Sequence, residues 1–518
     1  HSLYLKGIIN YCQIMLRTLT TIIIFLILIY SPTPLHSQDK AKTKALDKMI
    51  LEGIKDWHIP GLTAVVVKDQ KVVFKKTYGV KNLENKVPID DYTLFNMGST
   101  TKAIVCMALG VLVDQDKLAW TDKVRKHLPS FQLSDSYITE EARIQDLLTH
   151  NLGIAEADLL WTLDSVSTKN TISRFKYAQK IYPLRGGYEY NNLMYAVAGE
   201  VIGSVSGIHW TEFVKQYLLY PLEMNHTKTK ASEIFDTGNY VTPYLNDIED
   251  GIVEVNYNLS DQIGAAGMIW SCANDIQNYL QFLTNNGVFK GKRILKEETF
   301  NYLFKPHALI PNAGFYPTQK LTNPKWISYG LGWFQHDYRG EKIDFHTGSI
   351  EGLIAIAGII HDKNTAVYVF GNMDHAELRH AILYQAFDLF VFNDRTLNWH
   401  HEIFSLYEKY RNEAIQANKK RKEARILNTK TTLELENYAG EYKNEMLGTI
   451  QINIVDNKLK LNCNNFLKLT ASHWHYDSFL SEENNRFKMK LLFNFHLNQK
   501  GRIEELHFMG NKFRKVTP

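Results

Sequence analysis

The chain has 518 residues, long enough for a large core and an appended module, so two domains are expected. Apolar residues make up 45% and charged residues 22%, which excludes disordered and fibrous classes. The formal charge is only +4 and the lysines are scattered, so nothing points to nucleic acid as a partner.

At the amino terminus "MLRTLTTIIIFLILIY" carries a basic Arg17, an unbroken apolar run from Ile22 to Tyr30, then Pro32, Pro34 and a small Ser37. This is signal-peptide architecture, with Met15 as the start it implies and residues 1–14 upstream of it. The run is well short of the ~20 residues a spanning helix requires, so the expectation is cleavage near Ser37 and export, periplasmic or secreted, with no stable membrane anchor. No cysteine follows closely enough to accept a lipid. Cys12, Cys106, Cys272 and Cys463 lie far apart and show neither a disulfide framework nor zinc-ligand spacing, so no metal and no cofactor are expected.

After the polar stretch Asp39 to Thr43, "ALDKMILEGIKDWHIPG" places Leu46, Met49, Ile50 and Ile54 at helical spacing and stops at Pro60-Gly61. "LTAVVVKDQKVVFKKTYGV" is two β-branched runs around Lys68-Asp69-Gln70-Lys71, a hairpin signal. Most segments from Thr101 to about Leu280 have helical periodicity. Strands return in "YGLGWFQHDYRGEKIDFHTGSIEGLIAIAGIIHDKNTAVYVFGN", and Met373 to Phe392 reads as a helix through Leu378, Ile382 and Ala386. If both sets of strands share one sheet, residues 60–100 come near residues 340–370. The spacing therefore divides the chain into residues 1–37, upstream residues and signal peptide; 38–398, sheet and helices; 399–430, a charged helical linker; and 431–518, a small all-β barrel or sandwich.

Three stretches have the residue types for chemistry. "MGSTTKAIV" puts Ser99 three positions before Lys102 at the mouth of an apolar helix, where i and i+3 share a face. A capping serine is one account, since serine favours that position. It leaves Lys102 unexplained, because a lysine starting a buried helix is costly unless paired or used. Ser-x-x-Lys also occurs at Ser37–Lys40 and Ser173–Lys176, but only Ser99 precedes an apolar run. "GGYEYNNLMYAVAGEVIG" offers Tyr190 and Asn192, two apart and able to face one cleft, and an ammonium beside Tyr190 favours its phenolate. In "HTGS", Gly348 allows close approach of a substrate backbone and Thr347 flanks it. Ser349 can offer its N–H to an oxyanion together with that of Ser99, and His346 supplies a donor whose charge changes near neutrality.

Ser99-x-x-Lys102, Tyr190-x-Asn192 and His346-Thr347-Gly348 together resemble the serine β-lactamase and penicillin-binding-protein superfamily, in its class C β-lactamase, D-alanyl-D-alanine peptidase and esterase branch. "IPGLTAVVVKDQKVVF", "IQDLLTHNLGI", "GAAGMIWSCANDIQNYLQF" and "YGLGWF" resemble the same branch, from about Leu46 to Phe392. The resemblance implies an α/β (α+β) fold: an antiparallel sheet flanked by helices, with an all-helical subdomain and the active site between them. It implies an acyl-enzyme on Ser99, activation and proton transfer shared by Lys102 and Tyr190, substrate positioning by Asn192, His346, Thr347 and Gly348, and an oxyanion hole from the Ser99 and Ser349 N–H groups. The substrate is then a small molecule or peptide, cleaved at a peptide, amide or ester bond. Lactamases of this branch usually carry lysine at the position of His346, which favours peptides and esters over β-lactam turnover. The alternative is a sensor acylated by cell-wall peptide or β-lactam without turnover. The C-terminal module resembles the small β domain of some peptidase-like members, fitting either packing on the catalytic domain or homo-oligomerisation.

Overall fold

The computed structural model describes residues 34–248, 250–257, 260–483 and 490–516. The chain divides into a short amino-terminal unit, His1–Lys48, and a main body, Met49–Pro518. Most of the expected signal segment, residues 15–33, lies outside the described residues, as do residues 1–14. Helix α1, Pro34–Asp56, begins earlier than the polar stretch at Asp39 suggests and ends before His58. No helix among the described residues is long and apolar enough to cross a membrane.

Strands β1, Gly61–Lys68, and β2, Lys71–Gly79, form the hairpin, with Asp69 and Gln70 both at positive φ in its tight turn. β2 is an outer strand whose Lys71, Lys75 and Lys76 discourage further pairing. Helix α2, Thr101–Asp114, is buried from Thr101 to Leu112, as its apolar residues on every side demand. Helix α3, Asn192–Ser206, packs on it, capped by the Asn191 side chain and ended by Gly207 at φ 79°. Helix α4 is Ala273–Thr284.

The remaining strands of the large sheet are β3, Ala308–Leu309; β4, Ile327–Tyr329; β5, Phe334–Tyr338; β6, Glu341–Ile350; β7, Leu353–Ile360; and β8, Thr365–Gly371. The sheet is antiparallel in the order β2-β1-β8-β7-β6-β5-β4-β3. Val66 pairs with Val367, so the first and last strands of the domain do lie side by side. β1 and β7 are buried along nearly their whole length because helices cover both faces. Helix α5, Leu378–Phe390, packs on β7 and β8 beneath helix α6, Trp399–Glu423, and is buried at every residue.

The C-terminal strands are β9, Gly440–Asn444; β10, Gly448–Val455; β11, Lys458–Cys463; β12, Leu467–His475; β13, Ser478–Ser481; β14, Leu492–Leu497; β15, Ile503–Phe508; and β16, Asn511–Lys515. They close into a barrel where Tyr442 meets Lys515. Alternate residues point inward, and Tyr438, Tyr442, Phe479, Phe495 and Phe508 fill the interior as a packed core.

Candidate active site

A two-stranded ladder pairs Phe95 with Ser271, and Met97 N–H donates to Ile269 O (2.8 Å). These contacts pin the short 3₁₀ turn Gly98–Thr100, which carries Ser99, between the Gly264–Gly267 turn and strand β6. Gly98 lies at φ 50°, and a Cβ there would sit 2.6 Å from Ser349 N. A Cβ at Gly348 would lie 2.0 Å from Met97 O. The serine turn and the 346–349 strand are therefore in backbone contact that only glycine permits at both positions. Gly348→Ala is expected to force them apart, slowing acylation of Ser99 about a hundredfold and costing about 1–3 kcal/mol, as read by labelling rate and thermal melting.

Ser99 makes no cap bond for α2, whose first turn has no side-chain cap. Its Oγ lies 2.9 Å from Lys102 Nζ. The same nitrogen lies 2.7 Å from Asn192 Oδ1 and 2.8 Å from Ala266 O, and Lys102 is fully buried. Burial pulls its amine down to about 7, against the opposing negative charge of Asp158. A neutral amine has two N–H groups and one lone pair. With Asn192 Oδ1 and Ala266 O accepting the hydrogens, the lone pair faces the Ser99 hydroxyl, the geometry of a base accepting its proton.

Tyr190 lies beside this pair, its ring centroid 5.0 Å from Lys102 Nζ. Burial pushes its phenol well above the ordinary value, outweighing the opposing influence of the neighbouring Ser99 hydroxyl. The phenolate expected from a neighbouring ammonium is thus corrected: burial penalises the anion, and it also neutralises the lysine that was to stabilise it. Tyr190 is a proton donor here. Its ring lies 4.3 Å from the His150 ring, tilted by 32°, and His150 Nδ1 accepts the N–H of Asn191 (3.0 Å). Asn192 opens α3, and its Nδ2 donates to Asp158 Oδ2 (2.8 Å).

Across the cleft, His346 Nδ1 lies 2.6 Å from Thr347 O and Nε2 lies 2.8 Å from the Tyr329 hydroxyl. Burial pulls its imidazole down to about 3, with the charge of Lys102 acting in the same direction. The expected change of charge near neutrality is therefore also corrected: His346 is a neutral ring, with Nδ1 donating and Nε2 accepting. Thr347 Oγ1 shares a 2.6 Å hydrogen bond with Tyr316. Behind Gly348 and Ser349 sits Arg379, which donates to Gly348 O (2.6 Å) and Ser349 Oγ (2.8 Å) and is paired with both oxygens of Glu377 (2.9 and 3.0 Å).

The structure thus brings Ser99, Lys102, Tyr190, Asn192 and the His346–Ser349 strand to one place. Sequence reading missed Asp158, Tyr316, Glu377 and Arg379, and gave His150 no role. Ser173, the rival serine, is exposed on a short helix with its hydroxyl bonded to Asn170 O. Among the described residues His226, Cys272 and Asp275 bring three ligand atoms within 4.8 Å of one another. Asp275 already accepts from the N–H groups of His226 and Thr227, the Thr227 hydroxyl and the His226 ring, and burial pushes the Cys272 thiol up. That set is accounted for as a satisfied buried carboxylate.

Fold and site together define a serine-hydrolase architecture of the β-lactamase and penicillin-binding-protein superfamily. Residues 46–389 match the Beta-lactamase family, and the chain belongs to it. Residues 424–515 match a domain of unknown function, DUF3471. Protein flp of Staphylococcus aureus (strain COL) is 24% identical over 334 residues, covering 64% of this chain and 63% of that protein. The Unguisins hydrolase ungD' of Aspergillus campestris is 26% identical over 373 residues, 68% of this chain and 67% of the relative. The octameric penicillin-binding protein homologue from Pyrococcus abyssi superposes with a TM-score of 0.61 at 21% identity, over 91% of this chain and 99% of that one. The D-amino acid amidase from Ochrobactrum anthropi gives 0.55 at 19% identity, over 68% and 98%. At these identities the structural likeness concerns the fold.

Proposed function

We propose that the protein is an exported serine hydrolase that forms an acyl-enzyme on Ser99 and cleaves amide, peptide or ester bonds. The observation that carries this reading is the buried Lys102 amine 2.9 Å from Ser99 Oγ, with two acceptors taking its hydrogens. Lys102 takes the Ser99 proton as Oγ attacks the carbonyl, and the Ser99 and Ser349 N–H groups receive the oxyanion. The proton then returns from the Lys102 ammonium through the Tyr190 hydroxyl to the departing nitrogen or oxygen, and water releases the acyl group. Export rests on the Met15 to Ser37 segment. The octameric state named for the Pyrococcus abyssi homologue supports self-association.

Two features favour amides and esters over β-lactams or peptides with a free C-terminal carboxylate. The His346 ring is neutral, and the charge of buried Arg379 is paired with Glu377. The strand that receives the substrate therefore presents no free cation among these groups. The name of the Ochrobactrum protein, an amidase, supports an amide-cleaving reading, and that of the Aspergillus protein supports a hydrolase.

The test is covalent labelling by a fluorophosphonate, followed by turnover of p-nitrophenyl acetate, a D-amino-acid amide, a D-Ala-D-Ala peptide and nitrocefin. Ser99→Ala is expected to abolish labelling, and the ester and the amide are expected to turn over faster than the other two. Labelling that survives in the Ala variant overturns the assignment of Ser99. A stable adduct with no product from any substrate favours the sensor reading.

A further inference from the structure

Asp158 is tied to the catalytic residues through Asn192, and the turn that carries it is tied to the C-terminal barrel. Asp158 Oδ2 accepts from Asn192 Nδ2 (2.8 Å), while Asp158 Oδ1 accepts from Trp161 Nε1 (3.2 Å). Two residues further on, the carbonyl of Leu163 accepts from Asn464 Nδ2 (3.2 Å), in the turn between β11 and β12. The orientation of the Asn464 amide follows from its other partners: Oδ1 accepts Thr449 N–H (2.8 Å) and Nδ2 also donates to Leu447 O (2.8 Å). The residue sits at φ 52°, a conformation asparagine tolerates, with its Oδ1 where a Cβ on Gly448 would be. Leu163 and Leu447 are both almost fully buried, 1% and 2% exposed, in one apolar core that runs from the helical region into the barrel. Hydrogen bonds therefore lead from the barrel to the Asp158 turn, and from Asp158 through Asn192 and Lys102 to Ser99.

We propose that the C-terminal barrel is a working part of the catalytic centre, and that Asn464, by holding the carbonyl of Leu163, is a positioning residue that keeps Asp158 on Asn192. The inference rests on the reading of Lys102 as the base for Ser99. Gln262 Nε2 holds the flanking carbonyls of Trp161 (3.2 Å) and Asp164 (3.1 Å), and Asn464 fixes the Leu163 carbonyl between them; with that carbonyl released the turn shifts, and Asn192 loses the partner that orients its amide towards Lys102. The groups facing the Lys102 amine are Asp158 from this turn, Cys106 from α2, Tyr190 and Tyr195 around the start of α3, and the rings of His150 and His346. Burial keeps both histidines neutral through the neutral range. Asp158 is thus the one anion in this set, and its charge raises the Lys102 pKa.

The test measures the rate of Ser99 labelling by a fluorophosphonate against pH, on the full chain, for wild type, Asn464→Ala, Asn464→Asp, Asp158→Asn and the Asp158→Asn/Asn464→Ala double variant. Asp158→Asn removes the charge, so its acid limb moves to lower pH. Asn464→Ala is expected to move the limb the same way by about half a unit and to lower the plateau about tenfold. The double variant is expected to be no worse than Asp158→Asn alone, because both changes act on one linkage. A merely structural Asn464 lowers the melting temperature and leaves the acid limb in place. Should the Ala variant unfold the barrel, isosteric Asn464→Asp decides: it keeps the acceptor for Thr449 and lacks the N–H groups for Leu163 and Leu447. Wild-type plateau and limb in a folded Asn464 variant, or additive losses in the double variant, overturn the proposal. Labelling that persists after Ser99→Ala fails the underlying reading instead, so the two failures are distinguishable.

Discussion

Lys102→Met is expected to slow acylation of Ser99 about a thousandfold and to flatten the dependence of the protein's stability on pH above neutrality. The rate follows from losing the base while the oxyanion donors, which are backbone N–H groups, remain in place. The stability effect follows from linkage. The amine has its ordinary value of 10.5 in the unfolded chain and about 7 in the folded one. Between these values the unfolded state binds more protons, so wild-type stability rises with pH across that window. The cost of burying the charge is full at and below about pH 7, amounts to a few kcal/mol, and fades as pH approaches 10.5. Methionine has nothing to protonate, so the Met variant lacks this rise. Part of its advantage at low pH is offset because Asn192 Oδ1 and Ala266 O lose a donor. Urea titrations of both proteins from about pH 6 to about pH 10 check it: a difference in stability that stays constant across the range removes the neutral, buried lysine from the account. The same titration state sets the acid limb of the acylation rate near pH 7 in the wild type.

How far the sequence exposes this centre depends on the range of the interactions involved. Ser99 and Lys102 are three residues apart on one helical turn, and Tyr190 and Asn192 two apart, so local geometry sufficed to group each pair. The β-branched runs around Asp69-Gln70 marked strands for the same reason. Pairing Val66 with Val367 is a contact across about 300 residues; the strand pattern left it conditional on both sets of strands sharing one sheet, and the family resemblance implied one antiparallel sheet without its register. Closure of the C-terminal strands into a barrel was undecided because a sandwich and a barrel share the same alternation; the contact of Tyr442 with Lys515 settles it. Asp158, Glu377 and Arg379 lie in segments whose pattern reads as ordinary loop and helix; Glu377 pairs locally with Arg379, but the site partners of Asp158 and Arg379, which are Asn192, Gly348 and Ser349, sit 30 to 34 residues away. The states of Tyr190 and His346 were misread because proximity to a charge is visible in a motif, whereas burial, the larger influence on both, is a property of the assembled core.

Glu377→Leu is expected to destabilise the protein by about 3–5 kcal/mol, because it strands the Arg379 guanidinium in the core without its counter-ion. Burial alone pushes the Glu377 carboxyl up, but the Arg379 charge and the His380 hydrogen bond (2.7 Å) outweigh it and hold the group well below the usual carboxylate range. A carboxyl depressed in the folded state stabilises fully above its unfolded value of 4.5, and that contribution is lost as pH falls below it. The Leu variant is therefore most disadvantaged near neutrality and least disadvantaged in acid. Activity separates the pair's two roles. In Glu377→Leu/Arg379→Met both charges are gone and apolar groups replace them, so much of the lost stability returns. Gly348 O and Ser349 Oγ still lack the donor that fixes them beside the Ser99 turn, so acylation remains slow. Melting curves and fluorophosphonate labelling rates on the two variants check this. Recovery of both stability and rate in the double variant reduces Arg379 to a packing element. Recovery of stability alone leaves it as the group that holds the oxyanion strand in place.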